Sequence, residues 1–590
     1  MSDYIFSTNP QAAGFLGDSL QAIYSNDPPE YWEYHGEWGS LAVTRSYYRG
    51  FQPLETDRHI FLIIGGPVLC FRDNRFLVAE DSDAATRTVY QRWVLEGSIQ
   101  WDEDLSGPFT AILVDKVRGG ATIVTDLMSF IPVYTCRKET IGFFGTHVDS
   151  LAHAACESGK IDHVSLADFV LTDVVTYPYT AYENVQQLPP STITNIDSTG
   201  NSKGEAYWKP AEENSFKSLK DAAEYLRKGV ADYVSRVTEH MNEVAQFVSG
   251  GEDSRALAGV LPQRLKRDGF TFVDNLNREA RIATRVADIY GCALTVGYRS
   301  KTHYLDIISE ASRLVGAGHQ YMHAHSLGFH REFDFRRYTA VFGGFLADTL
   351  LKGHHIRKFK GHGRVPFMPE WRQPSHNPVG ERFRTLGRYI RQSPRVAERQ
   401  RERHADLSRL RPNSASEWFR YYPCSMHNDM PNFYATRRLF RSYEPFMCKE
   451  AVKISAAVPQ SWKLNRRLFN SAMAPYLRPS RHVLHADGRL PYYPWWANIP
   501  LQFGVWSYRI LTKRVGWVTG HQAPWADWQE IFSSKEWRKL VLTYQGEANK
   551  LTNLLQGVSV EDVLKSDIAT RNQKINALQV LASCQAGGRS

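Results

Sequence analysis

Nowhere in the 590 residues does an uncharged apolar run approach the roughly 18 residues a bilayer-spanning helix needs. The longest near the start, Ile60-Phe61-Leu62-Ile63-Ile64, is the size of a strand. A helical membrane protein is thereby excluded. The opening Met1-Ser2-Asp3-Tyr4 has no basic stretch ahead of an apolar core, so it does not read as a secretory signal. The 7 cysteines are scattered without a CxxC pair, which excludes a disulfide framework or a zinc site and predicts reduced thiols in a cytoplasmic setting. None of them precedes Cys70. Internal repeats and low-complexity tracts are absent too. With 13% aromatic residues, the composition is the reverse of a disordered chain.

What is present is a globular amount of apolar residue, 43%, in a length that suggests two or three domains. The net charge of +9 conceals a division. Residues 1–200 hold 12 Lys+Arg against 26 Asp+Glu, whereas 201–590 hold 59 against 36. Either the two parts serve different partners, or they attract each other. The strongest basic concentration is 351–411, with 16 Lys+Arg and 5 Asp+Glu. It reads either as a patch for an anionic polymer or carboxylate-rich substrate, or as a face complementing the acidic first part. No nucleic-acid-binding motif accompanies it, so nucleic acid is not an expected partner. His354 and His355, with His362, lack a fourth metal ligand and read as loop residues.

Residues 60–150 read as all-β: short branched and aromatic runs at 61–68, 75–78, 109–115, 121–124, 132–136 and 141–144, punctuated by glycine and Asp-Asn turns. A helix is predicted over 163–176, with Ser165 and Asp168 as capping-box candidates. A proline-rich connector at 188–190 and a strand at 191–196 lead to a domain boundary near 200–212. Beyond it, apolar positions at Ala222, Leu226, Val230, Val234 and Val237 predict a helix. Strand 244–248, a glycine loop, a short helix, strand 270–273, helix 278–290 capped by Gly291, and strands 293–296 and 338–342 follow. Such alternation predicts a parallel sheet. The final residues read as helices over 537–555 and 560–585.

The densest chemical signal is Ser249-Gly250-Gly251-Glu252-Asp253-Ser254, set between a strand and a helix. Paired glycines let backbone N–H groups approach an anion, and the positive end of the following helix faces the same point. Asp253 beside phosphates implies a divalent cation between them. The Walker lysine is missing, which excludes P-loop NTPase chemistry.

This loop resembles the SGGxDS pyrophosphate loop of the ATP-pyrophosphatase superfamily, and the chain resembles the asparagine synthetase family, with its β-lactam synthetases and lasso-peptide cyclases. Further matches are Gly107-Pro108-Phe109-Thr110-Ala111, Thr125-Asp126, Pro132-Val133-Tyr134, Leu188-Pro189-Pro190, Gly343-Gly344 with Asp348 and Gly353, and Glu444-Pro445-Phe446-Met447. The resemblance implies an α/β and α+β chain. An Ntn-type β-sandwich-like domain over 1–205 would precede a parallel-sheet, adenine nucleotide α-hydrolase-like synthetase domain over 206–590, with a basic insertion at 351–411. It further implies ATP and Mg2+ as cofactors, with a nucleotide site at Val248, Ser249, Gly250, Gly251, Asp253, Ser254, Val273 and Gly344. Asp253 and Asp348 would be the metal ligands, and Asp253, Asp348, Arg255 and Arg489 would carry the chemistry. Arg255 would either reach a phosphate or substrate carboxylate, or cover its helix and pair with an acid.

The implied reaction is adenylation of a small-molecule or peptide carboxylate, releasing pyrophosphate, followed by transfer to ammonia or an amine. Departures from the family pattern are Phe345 and Thr349 at its two glutamate positions, and Ala486 near the place of its lysine, with His485 and Arg489 nearby. Ser2 stands where the family has a cysteine, so the expectation is a scaffolding first domain and a glutamine-independent enzyme, soluble and admitting a homodimer. A catalytically retired scaffold and an AMP-forming enzyme acting on RNA remain the alternatives.

Overall fold

The computed structural model describes residues 2–79, 82–359, 365, 367–374, 376–514, 522, 525–544 and 549–586. Lys360 and His362, on which part of the basic-segment and histidine readings fell, lie outside these, as does part of the helix predicted over 537–555.

Residues 4–206 build two six-stranded antiparallel sheets. One runs in the order Val185–Gln187, Tyr134–Lys138, Ile141–Gly145, Tyr4–Ser7, Gly39–Thr44, Tyr31–Gly36. The other runs Ser202–Ala206, Thr192–Ile196, Ala121–Thr125, Thr110–Asp115, His59–Ile64, Leu54–Glu55. Period-two alternation explains the layering. Tyr4, Phe6, Leu41 and Val43 enter the core shared with Phe61 and Ile112 of the second sheet, while Ile5 and Ala42 face Leu16, Leu20 and Leu151 on the outer side. The strands before residue 60 escaped the sequence reading because Tyr31–Gly36 is polar and half-exposed and Tyr4–Ser7 is only 4 residues long. Arg75–Leu77, expected as a strand, is a 3-10 turn. The helix predicted from 163 spans His163–Thr172, and its cap is Asp162, which accepts the Val164 N–H. Ser165 instead donates to Asp162, and Asp168 accepts from Thr176.

A five-stranded parallel sheet follows, in the order Ala293–Tyr298, Lys266–Val273, Glu243–Phe247, Val341–Phe342, Ser442–Tyr443. Helix Leu219–Thr238 leads into it; Ser218 caps that helix, and Ala222, Leu226, Val230, Val234 and Val237 are buried, as their spacing requires. Helix Arg278–Tyr290 ends at Gly291, whose φ of 66° is the left-handed conformation glycine tolerates. The sequence order of the strands across the sheet reverses between Glu243–Phe247 and Val341–Phe342. At such a point the loops leaving neighbouring strands splay apart and open a crevice at the carboxyl ends.

The two parts are joined through their cores. Asp3, fully buried, lies against the Arg437 and Arg438 guanidinium groups of helix Pro431–Leu439 at 2.7 and 2.8 Å. The basic segment faces the first part's acids: Arg399 meets Asp162 at 2.6 Å and Arg382 meets Asp173 at 3.5 Å. Arg399 also covers the Tyr179 ring at 3.7 Å. No helix among the described residues is long and apolar enough to cross a membrane.

Candidate functional site

The glycine loop leaves strand Glu243–Phe247 at the sheet's reversal point and opens helix Glu252–Val260. Gln246 donates to the Ser254 carbonyl at 2.8 Å and ties strand to helix. The loop's N–H groups all point to acceptors. Ser249 N–H donates to Ser254 Oγ at 3.1 Å, Gly251 N–H to Ser249 Oγ at 3.1 Å, and Gly250 N–H to Glu279 Oε1 at 2.5 Å. An anion, the buried Glu279 carboxylate, is thus already seated on this backbone. A phosphate arriving there exchanges for these acceptors instead of meeting bare donors. A Cβ on Gly250 would fall 2.9 Å from the Glu279 carboxylate, which would have to shift away from the loop to admit it.

Asp348 comes from the neighbouring strand's loop, in the short helix Ala347–Leu351. Its approach depends on Gly344, where a Cβ would stand 3.1 Å from the Asp253 Cβ. It depends also on Leu346, held at φ 66° where a side chain is disfavoured. Val248 and Val273 are buried at the ends of their strands. The sheet therefore brings Ser249–Ser254, Gly344 and Asp348 together.

Between the two aspartates lies a residue the sequence reading passed over. Lys352 Nζ is 2.6 Å from Asp253, 2.6 Å from Asp348 and 3.0 Å from Glu252, and sits 4.8 Å from the centre of the Phe469 ring. Its side chain is only 4% exposed. Glu252 in turn takes Arg466 at 2.9 Å and Arg489 at 3.1 Å. Burial pushes the Glu252 carboxyl up, but Arg489, Lys352 and Arg466 outweigh it and hold the group well below the usual range. Burial likewise works against the Lys352 ammonium, yet Asp253, Asp348 and Glu252 raise its pKa. Among three carboxylates sharing one ammonium, Asp253 is the most easily protonated, pushed up to about 7 by burial and by Asp348 and Glu252 against the pull of Lys352.

The two arginines expected to carry chemistry are otherwise engaged. Arg255, with no exposed surface, donates to the carbonyls of Val483, Gly250 and Leu484 at 2.7, 3.0 and 2.7 Å, pinning the loop to the 483–484 segment. Arg489 bridges Glu252 and Asp487. Ala486 offers its carbonyl to Arg509, and His485 pairs with Asp487 at 2.9 Å. The site's buried lysine enters from the Asp348 side, one helical turn after that aspartate. Phe345 donates its backbone N–H to Glu444, whose buried carboxyl is pushed up to about 7 by burial. Thr349 bonds the His427 ring at 2.7 Å. Lys352 at i+4 from Asp348 was the sequence signal available for this cluster.

The chain thus sets an antiparallel two-sheet domain ahead of a parallel-sheet domain with an amide-lined loop at its switch point. Residues 38–208 match the model of a glutamine amidotransferase domain, and residues 225–483 match that of asparagine synthase. The chain belongs to the asparagine synthetase family, whose chemistry is ATP-dependent amide formation. No curated protein matches it. Similar solved structures include one titled as the allosteric regulatory enzyme of purine biosynthesis, at 9% identity and TM-score 0.25, covering 50% of this chain and 80% of that one. Another is the glutamine phosphoribosylpyrophosphate amidotransferase from B. subtilis complexed with ADP and GMP, at 10% identity and TM-score 0.25, covering 50% and 66%.

The amidotransferase match corrects the expectation of a glutamine-independent enzyme. That expectation weighed Ser2 and the lack of recognisable glutamine-binding strings in residues 1–60, whereas the match rests on the pattern over 38–208.

Proposed function

We propose that the chain activates a carboxylate by adenylation with ATP and transfers the acyl group to nitrogen, releasing AMP and pyrophosphate. The observation that carries this reading is the amide-lined loop Ser249–Gly251 at the switch point, facing Asp348 across the crevice. ATP, when bound, supplies the adenylyl group that makes the carboxylate reactive. The loop's N–H groups suit its departing pyrophosphate, which would take the place the Glu279 carboxylate holds on Gly250 N–H. Ser249 and Ser254 hydroxyls lie within the same cradle. The glutamine amidotransferase match supports glutamine as the nitrogen donor.

The expected magnesium does not fit the donor set. Asp253 and Asp348 would be its ligands, and both carboxylates are bridged by the Lys352 ammonium.

The basic segment's pairing with Asp162 and Asp173 speaks for its role as a complement to the acidic first part, against an RNA surface. ATP–pyrophosphate exchange, run across a panel of carboxylates, tests the first half-reaction. Carboxylate-dependent exchange is the expected result, and exchange with none of them would overturn the reading. Glutamate release on adding glutamine, raised by ATP and the active carboxylate, is the expected result for the nitrogen step.

A further inference from the structure

We infer that Lys352 is the site's own cation: its ammonium holds the place between Asp253 and Asp348 that a divalent metal would take, so the nucleotide is bound without a metal ion ligated by the protein. The inference rests on the nucleotide-site reading above and departs from it in naming the counter-charge. A lysine ammonium has three N–H donors. Here three carboxylates receive them, at 2.6, 2.6 and 3.0 Å. Lys352 holds the Oδ1 atom of each aspartate, so a metal bridging the same pair would have to sit against the ammonium or displace it.

Nor is the ammonium free to leave. Its stem is buried, the Phe469 ring closes the remaining side, and Glu252 anchors it from below. Glu252 is held in turn by Arg466 and Arg489, so moving Lys352 would disturb a network of three cations. Asp348, with its side chain 60% exposed, marks the open side of the cluster. A triphosphate entering from there would replace the exposed Asp348 carboxylate on the Lys352 ammonium, and its other end reaches the loop amides. Such a charge is supplied by the fold and costs no metal binding at the moment the nucleotide arrives.

The test uses the full-length protein and α,β-methylene-ATP, an analogue that resists cleavage at the α–β bond. Calorimetric titrations are run in EDTA and in magnesium, alongside electron paramagnetic resonance of Mn2+ mixed with the protein. Wild type is expected to bind the analogue within about threefold of the same affinity in both conditions. It is expected to take up no more Mn2+ than Asp253→Asn does. In Lys352→Met, which removes the charge and keeps much of the volume, the affinity in EDTA should fall at least about tenfold, and Mn2+ should restore it. An affinity for wild type that falls tenfold or more in EDTA, or Mn2+ uptake abolished by Asp253→Asn, would overturn the inference and leave the nucleotide site standing. Absence of analogue binding in both conditions would overturn both. Should Lys352→Met fail to fold, the wild-type titrations alone decide.

Discussion

Replacing Glu252 by Gln removes the anion around which the site's cations are arranged. The Glu252 side chain is 1% exposed and accepts from Lys352, Arg466 and Arg489 at 3.0, 2.9 and 3.1 Å. Breaking a buried pair from one side costs about 3–5 kcal/mol, because the charge left behind is uncompensated. Each cation here keeps another carboxylate: Lys352 has Asp253 and Asp348, Arg489 has Asp487, and Arg466 has Glu370 at 3.8 Å. That puts Glu252→Gln at the lower end, about 3 kcal/mol. The pH dependence has a definite sign. A carboxyl held below its unfolded value stabilises the fold above that value, about 4.3, and the stabilisation is lost as pH falls through the folded pKa. Asp253, pushed up to about 7 in part by Glu252, protonates between about pH 8 and about pH 5 and makes the difference between wild type and variant grow there; below about pH 5 the difference should shrink. Urea unfolding followed by tryptophan fluorescence reads it, with each transition fitted separately because a chain of two domains need not unfold in one step. A difference under about 1 kcal/mol at pH 7, or one that widens below about pH 5, would refute the reasoning.

Three further outcomes are expected. Asp3→Ala leaves Arg437 and Arg438 buried without their carboxylate and should cost about 3–5 kcal/mol, seen as a lower urea midpoint and faster proteolysis; an unchanged midpoint would show the cluster contributes nothing. Gly250→Ala puts a Cβ 2.9 Å from Glu279 and should weaken binding of an ATP analogue at least about tenfold by calorimetry, while far-ultraviolet circular dichroism stays unchanged. Glu444, raised to about 7 by burial, favours the folded state below its unfolded value and loses that contribution as pH rises through about 7. Glu444→Gln should therefore gain on wild type by about 3 kcal/mol in urea unfolding between pH 4.5 and pH 8; a difference independent of pH would count against it.

Sequence legibility followed locality. Two adjacent glycines between a strand and a helix are a backbone requirement that 6 consecutive residues state in full, and the loop stands at Ser249–Ser254 as read. Helix Leu219–Thr238 and helix Arg278–Tyr290 were legible for the same reason, since a 3.6-residue apolar period is written along the element itself. The parallel sheet followed from alternation. Glutamine dependence of the first domain is not legible at Ser2 or in the first 60 residues; the amidotransferase pattern is spread over 38–208.

Side-chain partners were not legible, because they are chosen across distances in sequence that no local pattern spans. Lys352 meets Glu252 across 100 residues, Arg489 meets Glu252 across 237, and Asp3 meets Arg437 across 434. Arg255 reads from its place beside the loop either as a ligand for a phosphate or carboxylate or as a cover for its helix paired with an acid; its guanidinium lies against the carbonyls of 483–484, which pack there only once the chain has folded. The residues themselves determined that this chain would carry an anion-binding loop on a parallel sheet. Which cation answers the aspartates was decided by packing, which buried an ammonium between them and left it no solvent to turn to.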